Sequence, residues 1–479
     1  MRDRRRWLVA GGPVPRTDAF HQERAERLIA VIASLGPSFV KMAQVFSARA
    51  DLIPEPYVSV LSTLTDQVPP VPTPLIVHEI ERSYGRPVNA IFTRFDAEPL
   101  AAASLGQVHR ASYRDEEVVV KVLRPRVEEL VRKDLAAARP LMRWLERWFP
   151  NQHVRNARAV IEEFSTRIWE EMDFVHEAAN AEEIAHNFRG HPRIIVPHVV
   201  HELVRPRVIV LQYVEGTRVD RLTLHRGDRA HDPRGVVSTV MELYLQMMLV
   251  HGFFHADPHP GNLLVAADGR VVLLDFGMVI RVPREMRWHL VSTVFAAIRR
   301  DVDGLVAGFS ALGVIVPGAD PVRIRELAQR LMSIAYDPST MQERIQLLAN
   351  EVIAELYDWP VRLPSELVYF ARTTALIEGL GVRYDRHFNP ILFATPIALK
   401  LRREILYSLG QGEAPPVDVA SLVGTVLGQV ANYAVNTGRE FIGRLIGGLR
   451  NLSAPSSPPG TPPSGNGAAA ETREAPRLR

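Results

Sequence analysis

Apolar residues recur at helical spacing from about residue 20 to 90, in AERLIAVIASLG, in SFVKMAQVFSARADL and, after the proline-rich VPPVPTP, in TPLIVHEIERSYG. The IPEP break and the prolines separate these helices. From about 91 to 124 the texture changes. PLAAASLGQVHRASY followed by EEVVVKVLRP reads as a strand, a small-residue turn and a β-branched strand. Helical patterns return from about 127 to 187, with RIWEEMDFVHEAANAEEI read as one helix. PRVIVLQYV at 206–214 is a further apolar strand, and a largely helical region then runs to about 410. Only LLVAADGRVVLLD interrupts it, a strand pair with an Asp268-Gly269 turn. A small sheet region followed by a larger helical one is the order of a two-lobed α+β protein.

After a Pro-Pro break, 417–450 carries an uncharged run from Val419 to Asn436 that contains Gln429, Asn432 and Asn436, a poor transmembrane helix. Gly424 and Gly428 make a weak helix-pairing signal. Phe441, Ile442, Leu445, Ile446 and Leu449 form one apolar stripe near Arg439, Arg444 and Arg450. That pattern suits a helix at a membrane interface, and equally a helix packed on the body or on another protomer. Residues 451–479 are rich in Pro, Ser, Gly and Ala and are expected to be disordered.

Composition excludes more than it selects. The chain has 479 residues, 47% hydrophobic and 23% charged, ordinary for a soluble globular protein. It has no cysteine, so disulfides, thiol catalysis and Cys-ligated metals are out. A net charge of +3 argues against a dedicated nucleic-acid binder. The basic N-terminus lacks the apolar run of a signal peptide, and the body has no uncharged apolar stretch of spanning length, so a cytosolic body is expected. Of 57 Lys+Arg residues, only Lys41, Lys121, Lys133 and Lys400 are lysines. Arg cannot replace a compact ammonium everywhere, so a lysine that persists here is worth inspecting.

The strongest chemical signal is HADPHPGN at 255–262, followed by LLDFG at 273–277. Asp257 and Asn262 have the H-x-D-x-x-x-x-N spacing of a kinase catalytic loop, and Asp275 opens an Asp-Phe-Gly triplet. Phosphoryl transfer needs oxygen ligands for Mg²⁺ and a carboxylate to orient the nucleophile. Asn262 and Asp275 suit the metal, and Asp257 the nucleophile. An isolated triplet would be weak, since many strands end that way; three elements in order around a hairpin are not. Lys121, inside a β-branched strand, fits the lysine that contacts the α/β-phosphates. Alone it would read as a solvated edge residue. Glu171, Asp173 and Glu177 offer its acidic partner, with Asp173 and Glu177 placed on one helix face. The turn expected to cover the phosphates is Ala101, Ala102, Ala103 and Ser104 rather than glycine-rich, which limits backbone approach and should alter nucleotide preference or pose. His255 reads as structural; His259 could mark a metal site with Asp257, though a packed, hydrogen-bonded histidine is the commoner case.

With these motifs the chain resembles the UbiB/ADCK atypical kinases. PLAAASLGQVHRA at 99–111, DQVPP at 66–70 and LGPSFVKMAQVFSARADLIP at 35–54 carry the resemblance, which runs from about 30 to 390. Lys41 and Gln44 match the K-x-G-Q motif, with Ala43 in place of its glycine. The resemblance assigns Glu171 and Asp173 to the E-x-D pair and Glu177 to the partner of Lys121. It implies a two-lobed protein-kinase-like α+β fold with a helical N-terminal extension over the active site. The expected layout is an extension at 1–90, an N-lobe at 91–215, a C-lobe at 216–410, a membrane-associated segment at 411–450 and a tail at 451–479. No Ala-Pro-Glu motif follows the triplet, so the usual protein-substrate dock is missing. The implied activity is an ATPase or small-molecule/lipid kinase using ATP or ADP with Mg²⁺, associated with isoprenoid quinone biosynthesis.

The expected partners are a nucleotide and an isoprenoid lipid or membrane surface, with no nucleic acid and a homodimer left open. The implied location is cytoplasmic, peripheral to or anchored in the inner membrane through the C-terminal segment. Two other readings stand beside this one. In the first, ATP is a conformational ligand of a lipid-binding protein with negligible turnover; the intact Asp257, Asn262 and Asp275 weigh against it. The second is an aminoglycoside- or choline-type phosphotransferase, whose loops resemble HxDxHPGN; the alanine turn and the Lys41/Gln44 extension weigh against that.

Overall fold

The computed structural model describes residues 18–35, 37–47, 56–61, 69–150, 152–222, 232–257, 259–335, 364–384, 388, 393–394, 397 and 400–410, all within the compact unit Met1–Val423. Three N-terminal helices, α1 (Asp18–Leu35), α2 (Pro37–Ser47) and α3 (Tyr57–Leu61), pack on one another and bury Ala25, Val40, Ala43, Val60 and Leu61. Ala43, standing where the K-x-G-Q motif has glycine, is thus an interior residue of this cluster. The next helix, α4 (Thr73–Tyr84), carries Pro74 in its first turn and stops at Gly85, whose φ of 71° supplies the left-handed turn.

Ile76 and Ile80 of α4 are fully buried against a four-stranded antiparallel sheet. Its strands are β1 (Arg94–Ala102), β2 (Gly106–Tyr113), β3 (Glu116–Leu123) and, after the short β4 (Ile194–Ile195), β5 (Val208–Gln212), in the order β1-β2-β3-β5. Strand alternation divides β3 between two environments. Val118, Val120 and Val122 enter the core with α4, while Val119 and Lys121 take the opposite face. The stretch expected to be one strand and a turn is therefore a full β1–β2 hairpin, with Ala101 and Ala102 paired to Val108 and Gln107. Gly106 opens β2 where a Cβ would meet the Val122 carbonyl at 3.0 Å, so only glycine lets the chain return this closely.

Three helices follow, α5 (Val127–Trp148), α6 (Gln152–Glu171) and α7 (Phe174–Asn187). The segment read as a single helix is broken between α6 and α7. Asp173 is the N-cap of α7, its carboxylate accepting from the Val175 N–H at 3.0 Å. An Asp that bonds the backbone two residues on competes with helix continuation, and here it wins. Asp173 and Glu177 therefore do not share a face: Asp173 is exposed and Glu177 is buried.

Beyond β6 (Thr217–Arg218), α8 (Pro233–Leu245) begins at the Asp232 cap and runs into a π-helical stretch, Gln246–His251. Four strands of three residues follow: β7 (Phe253–His255), β8 (Leu263–Val265), β9 (Val271–Leu273) and β10 (Val279–Arg281). The expected hairpin is the antiparallel β8–β9 pair, flanked by β4 and β6 in the order β4-β9-β8-β6. β7 pairs with β10 and brings the start of the catalytic loop beside the end of the Asp-Phe-Gly segment. The described remainder is helical: α9 (Arg284–Ile298), α10 (Val302–Ala311), α11 (Pro321–Ala335), α12 (Ser365–Tyr384) and α13 (Arg402–Gly410). Among the described residues no helix is long and apolar enough to cross a membrane. The expectations for 411–450 and 451–479 lie outside the described residues.

Candidate nucleotide site

Lys121 stands on the cleft face of β3. Its Nζ donates to Glu177 at 2.8 and 3.0 Å and to Asp275 Oδ1 at 3.2 Å, and lies 5.3 Å from the centre of the Phe174 ring. Three charges from three elements thus meet: β3, α7 and the segment after β9. Glu177 is 1% exposed, and burial raises its carboxyl even against the Lys121 charge. Burial also opposes the Lys121 charge, but Asp275 and then Glu177 outweigh it and raise the ammonium. At Asp275 burial pushes upward as well. The Lys121 charge, the Gly277 N–H and, further off, Lys41 prevail and hold that carboxyl well below the usual range.

Asp275 has a φ of 60°, an unusual conformation for a non-glycine residue, fixed by the Gly277 N–H at 3.1 Å. The Phe276 ring is fully buried. The Phe276 N–H faces Glu177 Oε1 at 3.5 Å, and its carbonyl accepts from Asn180 Nδ2 at 3.0 Å. One face of α7 therefore sets both the lysine and the triplet. The Asn262 amide donates to the Asp257 carbonyl at 3.1 Å and to its carboxylate at 3.4 Å. With its nitrogen so engaged, Asn262 has its oxygen free to meet a cation. His259 Nδ1 accepts from the Gly261 N–H at 3.0 Å, which closes the Pro260–Asn262 turn and gives that histidine a structural role. His255 is fully buried beside Tyr244, and burial lowers its basicity.

The alanine turn is held from behind. The Ala103 carbonyl accepts from Arg124 Nε at 2.8 Å, and the Pro69 carbonyl accepts from Nη2 of the same guanidinium at 3.0 Å. Buried Gln107 clasps Val71 through its N–H at 2.8 Å and its carbonyl at 3.3 Å. The proline segment leading from the N-terminal helices is thereby tied to the turn. Ser104 is fully buried, and its Oγ has no hydrogen-bond partner among the described residues. Replacing Arg124 with alanine is expected to weaken nucleotide binding about tenfold, the equivalent of one charged hydrogen bond. Titration of a fluorescent nucleotide checks this, and an unchanged Kd would remove Arg124 from the positioning of the turn.

Lys41 and Glu171 form an ion pair at 2.5 Å that joins α2 to the end of α6. Glu171 also lies beside the triplet: a Cβ on Gly277 would stand 3.5 Å from its Cγ. The extension thus reaches the edge of the cleft through a buried lysine. Gln44 belongs to α2, and its side chain lies outside the described residues. Asp173, which the resemblance pairs with Glu171, is instead the exposed cap of α7.

Residues 63–308 match the ABC1 atypical kinase-like domain. The chain belongs to this family. An Arabidopsis thaliana relative, the chloroplastic protein Activity of BC1 complex kinase 8, is 33% identical over 78% of this chain and 53% of its own length. The chain thus spans about half of that relative. An uncharacterized Synechocystis protein is 31% identical over 91% of this chain and 74% of its own. Among solved structures, the Mycobacterium tuberculosis protein Rv3197, in complex with erythromycin, superposes with a TM-score of 0.54. It shares 27% identity, covering 76% of this chain and 92% of that one. The two-lobed kinase-like α+β architecture and the UbiB/ADCK resemblance agree with these findings.

Within this ABC1 family fold, three supporting residues escaped the sequence reading. Asn180 is three residues after Glu177 on the same helix face, a signal open to use. Arg124 and Gln107 act on carbonyls or amides of Pro69 and Val71, 55 and 36 residues away in sequence, and nothing local announces that.

Proposed function

We propose that this ABC1-family chain is an atypical kinase or ATPase that uses Mg-ATP and supports isoprenoid lipid or quinone metabolism at a membrane. The observation that carries the reading is the Lys121–Glu177–Asp275 constellation, facing a loop in which Asn262 holds Asp257. The residues fit the cofactor. The Asp275 side chain is 40% exposed, so a hard cation can reach it, and among the described residues no donor engages the Asn262 side-chain oxygen. Among the described residues there is no cluster of three or more His, Asp or Glu side chains for a metal. Mg²⁺ does not need one, since it binds through one or two carboxylates, waters and substrate phosphates. When bound it would neutralise charge developing on the transferred phosphoryl group.

The chain's own groups divide the remaining work. Glu177 keeps the Lys121 ammonium extended over the cleft, where it meets phosphate oxygens as a point charge. Asp257 is placed to accept the proton of a hydroxyl or water nucleophile, and Asn262 fixes its orientation. The Lys41–Glu171 pair narrows the approach beside Gly277, which favours water or a small acceptor over a protein chain.

The test is ATP hydrolysis by the purified protein, with and without Mg²⁺ and with and without anionic liposomes. Mg²⁺-dependent turnover that liposomes raise supports the reading. Nucleotide binding without turnover under every condition would overturn it in favour of a nucleotide-gated lipid-binding protein.

A further inference from the structure

The outer face of α5 carries an apolar stripe that the fold does not use. Leu141, Trp144 and Trp148, spaced three and four apart, are 54%, 53% and 64% exposed. Leu130 and Ala137 extend the same stripe toward the start of the helix, and both are exposed. The inner face is already satisfied: Met142, with Ala138, Leu145 and Phe149, packs on Val154 and Ile161 of α6 and on Met42 of α2. The stripe is therefore additional to the core. An isolated exposed leucine needs no explanation, but two neighbouring tryptophans on one helix turn do.

Charge selects the occupant. Arg147 lies beside the stripe and Arg143 further round the same exposed side, while Arg139 falls on the opposite side of the helix. Arg143 and Arg147 make no ion pair among the described residues, while Arg139 lies 3.4 Å from Glu162 and Lys133 pairs with Glu129. Of the acids nearby, Asp134 is half-buried between Leu130 and Ala137 at the early end of the stripe, and Glu146 is half-buried and engaged by Arg158. Tryptophans whose rings sit at the headgroup level, with arginines beside them, match an anionic lipid surface. A protein pocket would need complementary acids and a shaped concavity around both rings. A flat bilayer needs neither.

We infer that the Leu141–Trp144–Trp148 face of α5 docks on an anionic membrane, with Arg143 and Arg147 meeting lipid headgroups. This deepens the membrane part of the function proposed above by naming the surface. It does not depend on the segment 411–450 being the anchor.

The experiment uses the full chain and vesicles of equal parts phosphatidylglycerol and phosphatidylcholine, against phosphatidylcholine alone. Brominated phosphatidylcholine in the bilayer should quench the tryptophan emission. The quenching should disappear in Trp144→Phe/Trp148→Phe, which keeps the face apolar but removes its reporters. Trp144→Asp/Trp148→Asp should lower vesicle partition at least roughly tenfold. Both positions are exposed, so thermal unfolding of either variant should stay at the wild-type temperature. Vesicle binding without quenching, or equal binding by the Asp variant, would overturn the assignment to α5 while leaving a membrane role through another segment standing. No binding to either vesicle, with concentration-dependent dimerisation that the Asp variant abolishes, would overturn it in favour of a second copy of the chain. ATP turnover in detergent-free buffer reads the kinase proposal separately.

Discussion

Replacing Asp275 with asparagine is expected to lower Mg²⁺-dependent ATP turnover by roughly three orders of magnitude, as loss of an anionic metal ligand removes several kcal/mol of charge stabilisation. Asparagine is the informative change because residue 275 adopts a φ of 60°. Asn tolerates that left-handed conformation better than most side chains, so the backbone of the triplet should persist. Lys121 keeps both contacts to Glu177, at 2.8 and 3.0 Å, so its ammonium retains a buried counter-charge. Nucleotide affinity without metal should therefore change only a few-fold, on the scale of one lost ion-pair contact at a partly exposed group. Steady-state turnover and metal-free nucleotide titration together check the assignment. Turnover within tenfold of wild type would show that the metal is held elsewhere.

Lys121→Met should damage both stability and binding. It leaves Glu177, 1% exposed, without its main counter-charge and with the Asp275 carboxylate close by. Breaking a buried pair from one side costs about 3–5 kcal/mol in general; relaxation and a proton on Glu177 should bring this case nearer to about 2–4. The proton gives the loss a pH signature. In the folded wild type, burial already raises the Glu177 carboxyl above its ordinary 4.5. Without Lys121 the rise is larger, so the folded variant binds a proton that the unfolded chain has released. Its stability then falls as pH rises through the window above 4.5. Asp275 acts in the same direction. Its depressed carboxyl gives the wild type stability that is present above 3.8 and lost as pH falls, and the variant forfeits most of that because Lys121 is the main cause. The gap in unfolding temperature between wild type and variant, measured without Mg²⁺ or nucleotide, should be wider at about pH 8 than at about pH 5. A gap that stays constant would mean that Glu177 is not the group left exposed to the change. Nucleotide binding should be undetectable at either pH.

How far the sequence could be read depended on the range of each interaction. Asp257, Asn262 and Asp275 stood out because their spacing is a local property of one loop and one hairpin, which the chain cannot satisfy by other means. Lys121 stood out only in company with that loop, since alone it reads as a solvated edge residue; strand alternation then sets it opposite Val120 and Val122. The resemblance assigned Glu177 to Lys121, and the two meet at 2.8 Å; the helix face that Glu177 was expected to share with Asp173 does not form. Asp173 ends that helix with its own side chain, a contest between cap and helix that periodicity does not register. β4, β6, β7 and β10 were missed for a related reason. Strands of two or three residues carry no alternation to detect, and they form because partners such as Val271 and His255 arrive beside them.

By itself, then, the sequence determined the family and the α+β fold class and singled out the candidate chemical groups, since motif spacing and periodicity are set along the chain. Tertiary structure alone decided that Arg124 ties Ala103 to Pro69 and that Gln107 clasps Val71. It also left Trp144 and Trp148 outside the core. Each of these depends on a neighbour tens of residues away. Burial and charge pairing are properties of the assembled cleft, and no local window of sequence contains them.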